Sequence, residues 1–185
     1  MRRVDLRPLF EFANRIASEK RVNRTLGLVS FDGPMTLEDE RKFLEQTVLG
    51  MEAGDTASVT AWHEGEMVGN CDITRRKFAD VRHTGTLGIV LDKRFRGVGL
   101  GEAMMRDVIR QAKQAGITLV ELSVFAGNGR AIALYRKLGF KAVGTVPGKI
   151  HRGKWVSDEF YMYRKSDVGV RSISARRRSS RRPAP

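Results

Sequence analysis

Leu87-Gly88-Ile89-Val90-Leu91-Asp92-Lys93-Arg94-Phe95-Arg96-Gly97-Val98-Gly99-Leu100-Gly101 is the stretch on which the reading of this chain turns. An apolar strand ends at Leu91, glycines recur at the alternate positions 97, 99 and 101, and a helix-forming run begins at Leu100. Glycine lets backbone come close to a ligand. A helix start offers unpaired amides and the positive end of the helix dipole to an anion. Arg94 and Arg96 add charge. The segment reads as a phosphate or pyrophosphate cradle. Its spacing sets it apart from other nucleotide loops: a Walker loop ends in Gly-Lys-Ser/Thr, whereas Gly101 is followed here by Glu102-Ala103. The dinucleotide fingerprint spaces its glycines as Gly-x-Gly-x-x-Gly. Taken alone, the run is also compatible with a glycine-rich turn that holds nothing.

Working outward, Thr84 to Leu91 reads as a strand with Leu87, Ile89 and Leu91 on one face. Leu100 to Ala115 reads as a helix with Met104, Met105, Val108, Ile109 and Ala112 inward, stopped by Gly116. Upstream, Asp5 to Asn23 carries a helical stripe of Leu9, Phe12, Ala13 and Ile16, with Pro8 in its first turn. Thr36-Leu37-Glu38-Asp39 is a capping-box variant opening a helix that ends near Gly50. Ala57 to His63 and Met67 to Thr74 read as hairpin strands about Glu64-Gly65-Glu66, and Arg75 to Arg82 as a polar loop. Downstream come a strand from Ile117 to Phe125 and a helix from Asn128 to Leu138. Two late strands follow, Phe140 to Val146 and Ser157 to Tyr163, with a turn-rich loop between them at Pro147-Gly148 and Arg152-Gly153-Lys154. The order α-α-β-β-β-α-β-α-β-β is mixed α/β.

The second informative segment is Asn128-Gly129-Arg130-Ala131-Ile132-Ala133-Leu134-Tyr135-Arg136-Lys137-Leu138-Gly139-Phe140. Asn128 is placed to cap its helix, and Tyr135 falls on the apolar stripe, where a core aromatic is the simple reading. Together, the two segments resemble the GNAT superfamily of acyl-CoA-dependent N-acetyltransferases. Arg96-Gly97-Val98-Gly99-Leu100-Gly101 is similar to the family's Gln/Arg-x-x-Gly-x-Gly/Ala loop, and Asn128 to Phe140 to its second motif. The resemblance covers roughly Asp5 to Tyr163. It implies a central, mostly antiparallel, twisted mixed sheet flanked by helices, splayed between the strands at 84–91 and 117–125. It further implies acetyl-CoA as co-substrate without a metal. Ile89, Val90 and Leu91 would pair with the pantetheine arm as if it were a strand. Arg96, Gly97, Val98, Gly99, Leu100, Gly101 and Glu102 would form the pyrophosphate loop. Asn128 would contact the pantetheine, and Tyr135 would stand by the sulfur as general acid. An amine would attack the thioester directly in a ternary complex, with a backbone amide such as that of Ile89 stabilising the oxyanion.

The base is less defined. Some relatives place a glutamate on the strand before the phosphate loop, where this chain reads Gly85-Thr86-Leu87. Others place one at the equivalent of Ser123. Glu121, two residues earlier on the same face, is the first candidate, acting through water, and His83 the second. His151 and Glu159 lie near the substrate end. Deprotonating a lysine-like amine at pH 7 costs about 4.6 kcal/mol, an α-amine only about 1 kcal/mol. A weak base therefore tilts the acceptor towards amino acids or related small amines, with protein N-termini or lysines as the alternative. Glu121 to Asn128 and Gly144 to Asp158 also resemble the amino-acid branch. A reading of another class is an acetyl-CoA-sensing module without catalysis, with a nucleic-acid-binding tail. Family members begin with a short strand just before the equivalent of Asp5. Only four residues precede it here. A missing first strand with an exposed or substituted sheet edge is expected, or a longer natural N-terminus.

The 185 residues suit one domain, and 41% apolar residues suffice for a core. No run reaches the roughly 18 apolar residues of a membrane span. With no apolar signal core at the start and Cys71 as the single cysteine, a cytoplasmic protein without disulfides is expected. The net charge is +13. Residues 164–185 hold eight basic residues against Asp167 alone, so half the excess lies in the last eighth of the chain. A domain at 1–163 followed by a basic, flexible tail at 164–185 is expected. The tail reads as a solubilising extension, a weak non-specific nucleic-acid contact, or a dock for an acidic protein. A homodimer is common in the family.

Overall fold

The computed structural model describes residues 1, 5–23, 26 and 34–166. Helix α1 spans Leu6–Val22 and α2 Leu37–Glu52. Strands β1 (Thr56–His63), β2 (Glu66–Arg75) and β3 (Thr84–Leu91) follow, then α3 (Leu100–Gln114), β4 (Leu119–Phe125), α4 (Gly129–Lys137), β5 (Lys141–Arg152) and β6 (Trp155–Lys165). The expected order of elements is the order observed. One six-stranded sheet runs β1-β2-β3-β4-β6-β5, antiparallel throughout except for the β3–β4 pair.

Each face of the sheet is covered because its strands alternate. Cys71, Ile73, Leu87, Val120, Leu122 and Val124 pack on the side of α3, which buries Met104, Met105, Val108 and Ala112; α4 adds Ile132 and Tyr135. The opposite face meets α1 through Leu9, Phe12 and Ile16, and α2 through Leu44 and Val48. Thr36 and Asp39 close a reciprocal capping box at the start of α2. Asn14 of α1 exchanges two hydrogen bonds with the backbone of Met35, tying the approach to α2 onto α1. No described helix is long and apolar enough to cross a membrane.

Three expectations are corrected. The strand after α3 begins at Leu119, because the backbone N–H groups of Thr118 and Leu119 both turn to the His83 carbonyl. The loop expected at 147–154 is strand nearly throughout: β5 runs from Lys141 to Arg152, shifts register between Val146 and Ile150, and turns at Gly153. Pro147 is tolerated because β5 is the sheet's edge and needs no ladder N–H there. β6 reaches Lys165, past the boundary expected at Tyr163. The first-strand expectation rests on residues 2–4 and most of the tail on 167–185, both outside the described residues. Among the described residues, β1 has one strand neighbour, β2.

Candidate active site

The site originates in a parallel pair that stops early. β3 and β4 share only the rungs Thr84–Leu119, Gly85–Val120 and Thr86–Glu121. Beyond them β3 keeps β2 as its partner, from Leu87–Ile73 to Leu91–Gly69, while β4 keeps β6, from Leu122–Met162 to Phe125–Glu159. The facing edges, including Ile89, Val90 and Leu91 on one side and Ser123 and Val124 on the other, part into a cleft of about 1020 Å³.

The glycine loop lies at the mouth of this seam. Gly97 (φ 82°) and Gly99 (φ 86°) occupy left-handed conformations that side chains disfavour, and Gly99 is the N-cap of α3. A Cβ on Gly97 would also lie 2.7 Å from the Arg130 guanidinium. α3 leaves the N–H groups of Leu100, Gly101 and Glu102 without partners inside the helix, facing a cleft lined by Gly97, Gly99, Gly101 and Glu102. Val98 is exposed at the loop tip. The arginines are committed elsewhere. Arg96 donates to the Leu91 carbonyl and makes a two-pronged pair with Glu19 of α1. Arg94 is held by Asp92 and Glu66. Arg96 therefore fixes the loop to α1, and what the loop has to offer an anion is chiefly its backbone amides. The Glu102 carboxylate pairs with Arg106 and Lys137.

Asn128 caps α4, its side-chain oxygen accepting the Ala131 N–H at 3.2 Å, and it also lines the cleft. Tyr135 lines the cleft from the α3/α4 side and packs at 6.0 Å from Phe140. Burial, aided by the adjacent Cys71, pushes its phenol up to about 12. Cys71 is fully buried, and burial pushes its thiol up as well, which makes it a poor nucleophile.

The opposite face of the seam holds carboxyls. Asp72 of β2 lines the cleft opposite Gly88. Burial raises its carboxyl to about 6 against a hydrogen bond from Asn70 at 3.2 Å. Glu40 of α2 also lines the cleft, raised to about 7 by burial and by Asp39. Glu159 sits one strand beyond Ser123, which donates to it at 2.7 Å. Burial works to raise the Glu159 carboxyl, but Lys149, Tyr161 and Ser123 outweigh it and hold it below the usual range.

The seam is lined by the proposed cofactor residues other than Val98 and Leu100, and by Tyr135, and leaves other candidates outside. Glu121 stands on the last closed rung, away from the cleft lining, and pairs with Arg76 at 3.1 Å. His83 is exposed before the closed end of β3, and His151 is exposed on β5. Asp72, which the sequence reading does not name, is an acid lining the cleft. Its signal is the period-two pattern Asn70-Cys71-Asp72-Ile73, which puts two polar side chains on one face of an otherwise buried strand.

The family described as the acetyltransferase (GNAT) family matches residues 25–140. The chain belongs to this GNAT family. The L-amino acid N-acetyltransferase AaaT of Escherichia coli is 33% identical over 105 residues, covering 55% of this chain and 63% of that protein. The match thus spans less than two thirds of the relative's length. A GNAT acetyltransferase structure from Streptococcus pneumoniae superposes with a TM-score of 0.78 at 27% identity, covering 90% of this chain and 96% of that one. The structure of yncA from Salmonella typhimurium with its cofactor acetyl-CoA has the same fold, with a TM-score of 0.77 at 18% identity and coverage of 91% and 92%.

Proposed function

We propose that the protein transfers an acetyl group from acetyl-CoA to the primary amine of a small molecule. The observation that carries this reading is the open seam with Tyr135 on one face and Asp72 and Ser123 on the other. A pantetheine arm laid along Ile89 to Leu91 would complete the sheet edge, and the loop from Arg96 to Glu102 would hold the pyrophosphate. The acetyltransferase relatives support the donor and the amine class.

The two faces divide the chemistry. The amine attacks the thioester carbonyl from the α1/α2 side. Asp72, ionised at neutral pH with a carboxyl near 6, takes the proton that the new C–N bond makes acidic. The C–S bond then breaks on the other face, and the departing sulfur meets the Tyr135 hydroxyl. A phenol near 12 stays protonated. It is a weaker acid than a free thiol at about 8.5. The burial that raises the neighbouring Cys71 thiol would raise a thiolate leaving beside it, which narrows the mismatch. Glu159, already saturated with donors, is a poor base and instead orients Ser123.

Thiol release from acetyl-CoA over a panel of amines tests the proposal. Turnover in wild type that falls by about 10²–10⁴-fold in Tyr135→Phe supports it. Failure of coenzyme A to bind at millimolar concentration, or full activity in Tyr135→Phe, would end it.

A further inference from the structure

The proposed mechanism leaves one buried carboxyl without a task. α2 turns Glu40, Leu44, Thr47 and Val48 inward, the stripe its helical period assigns to packing. Glu40 is 3% exposed and lines the cleft. The needs of the first helical turn are met by its neighbours: Asp39 completes the capping box and Glu38 pairs with Arg41 and Lys42. Among the described residues, no side chain pairs with the Glu40 carboxyl, and the one charge that acts on it is the like charge of Asp39. A buried carboxyl without a donor is costly. Leucine would continue the stripe and remove the cost. Keeping a destabilising group at the wall of a cleft is the pattern of a binding residue.

The charge of the cleft points the same way. Its two arginines, Arg96 and Arg130, belong to the glycine-loop end, where Arg96 is paired with Glu19 and Arg130 reaches Gly97. The α1/α2 side is lined by Phe12, Met35, Phe43 and similar residues, with Glu40 and Asp72 as its acids and no lysine or arginine among the described residues. A free amino acid would find no cationic side chain for its carboxylate among the described residues of this wall.

We propose that Glu40 selects the acceptor, and that the acceptor class is an amine carrying a second cationic group, such as an α,ω-diamine or a polyamine. The remote ammonium pairs with Glu40 while the attacking amine meets Asp72. This assignment rests on the acetyltransferase reading above. It is tested by acetylation of α,ω-diamines against n-alkylamines of equal carbon number, in wild type, Glu40→Gln and Glu40→Asp. Wild type should favour the diamine in kcat/KM by at least about tenfold, the discrimination a charge-assisted hydrogen bond supplies. Glu40→Gln should bring the ratio close to one through KM. Glu40→Asp should keep a preference but shift it to a longer diamine, which a merely structural role would not do. A wild-type ratio near one, a ratio unchanged in Glu40→Gln, or a wild-type preference for α-amino acids over their decarboxylated amines overturns the assignment. If Glu40→Gln fails to fold by thermal melting, the wild-type ratio and the Glu40→Asp length shift decide. Absence of turnover with every amine would sink the acetyltransferase reading itself. Calorimetric titration of a diamine into the CoA-loaded wild type and Glu40→Gln would then decide Glu40, equal binding being the adverse result.

Discussion

Asp72 and Glu121 illustrate how much a single rung matters. Both are acidic residues on central strands, and both share the sheet face on which the amine would arrive. Sequence alone favoured Glu121, because it precedes the Asn128 motif and shares a face with Ser123. What sequence does not display is where β3 and β4 part. Glu121 lies on the last paired rung and is paired with Arg76, whereas Asp72 flanks the opening and is desolvated by burial. The difference is measurable. Asp72→Asn should remove the acidic limb near pH 6 from the pH profile of kcat/KM and lower the plateau by about 10²-fold or more. Glu121→Gln should leave the limb in place. A limb near pH 6 that survives in Asp72→Asn would return the base to another group.

Elements were legible wherever local signals agreed with burial. The capping box at Thr36, the cap at Asn128 and the glycine at 116 marked helix ends that the structure reproduces to within about two residues. The 84–91 strand was read with its observed bounds because its alternation and flanks are unambiguous. Pro147-Gly148 misled, because turn residues carry the same signal in an edge strand as in a loop, and only the sheet order identifies β5 as an edge. The glycine loop was legible in the sequence, yet the contact of its arginine was not, since Arg96 spends its charge on Glu19, distant in sequence. The loop's geometry yields a prediction at this scale. Gly99→Ala forces a left-handed φ on a side chain at the N-cap of α3, at a cost of about 1–2 kcal/mol. Thermal melting should fall accordingly, and a calorimetric titration should show coenzyme A binding weakened by about tenfold or more.

For the whole molecule, the two raised carboxyls set the sign of the pH dependence of stability. Asp72 near 6 and Glu40 near 7 bind protons more tightly folded than unfolded. Their contribution is therefore complete at pH values below their unfolded pKa near 4 and is lost as pH rises through about 6 to 7. Melting temperature measured in the absence of ligands should fall between pH 5 and pH 7.5, all about these values. The fall should flatten in an Asp72→Asn, Glu40→Gln double variant. Asp92 and Glu159, held low by Arg94 and by Lys149 with its neighbours, act in the opposite sense only at more acidic pH. A melting temperature that climbs across the same interval would show that these acids are ionised at no penalty.

Under the proposed function, the unfinished β3–β4 ladder also selects the kind of acetyl carrier. Three rungs join the strands and the rest of each edge waits for peptide groups from elsewhere. A carrier such as acetyl phosphate brings the same activated acyl group but no amides of its own, so it should be turned away for lacking a spine rather than for lacking reactivity, and the protein should show no acetylation with it under conditions where acetyl-CoA is consumed.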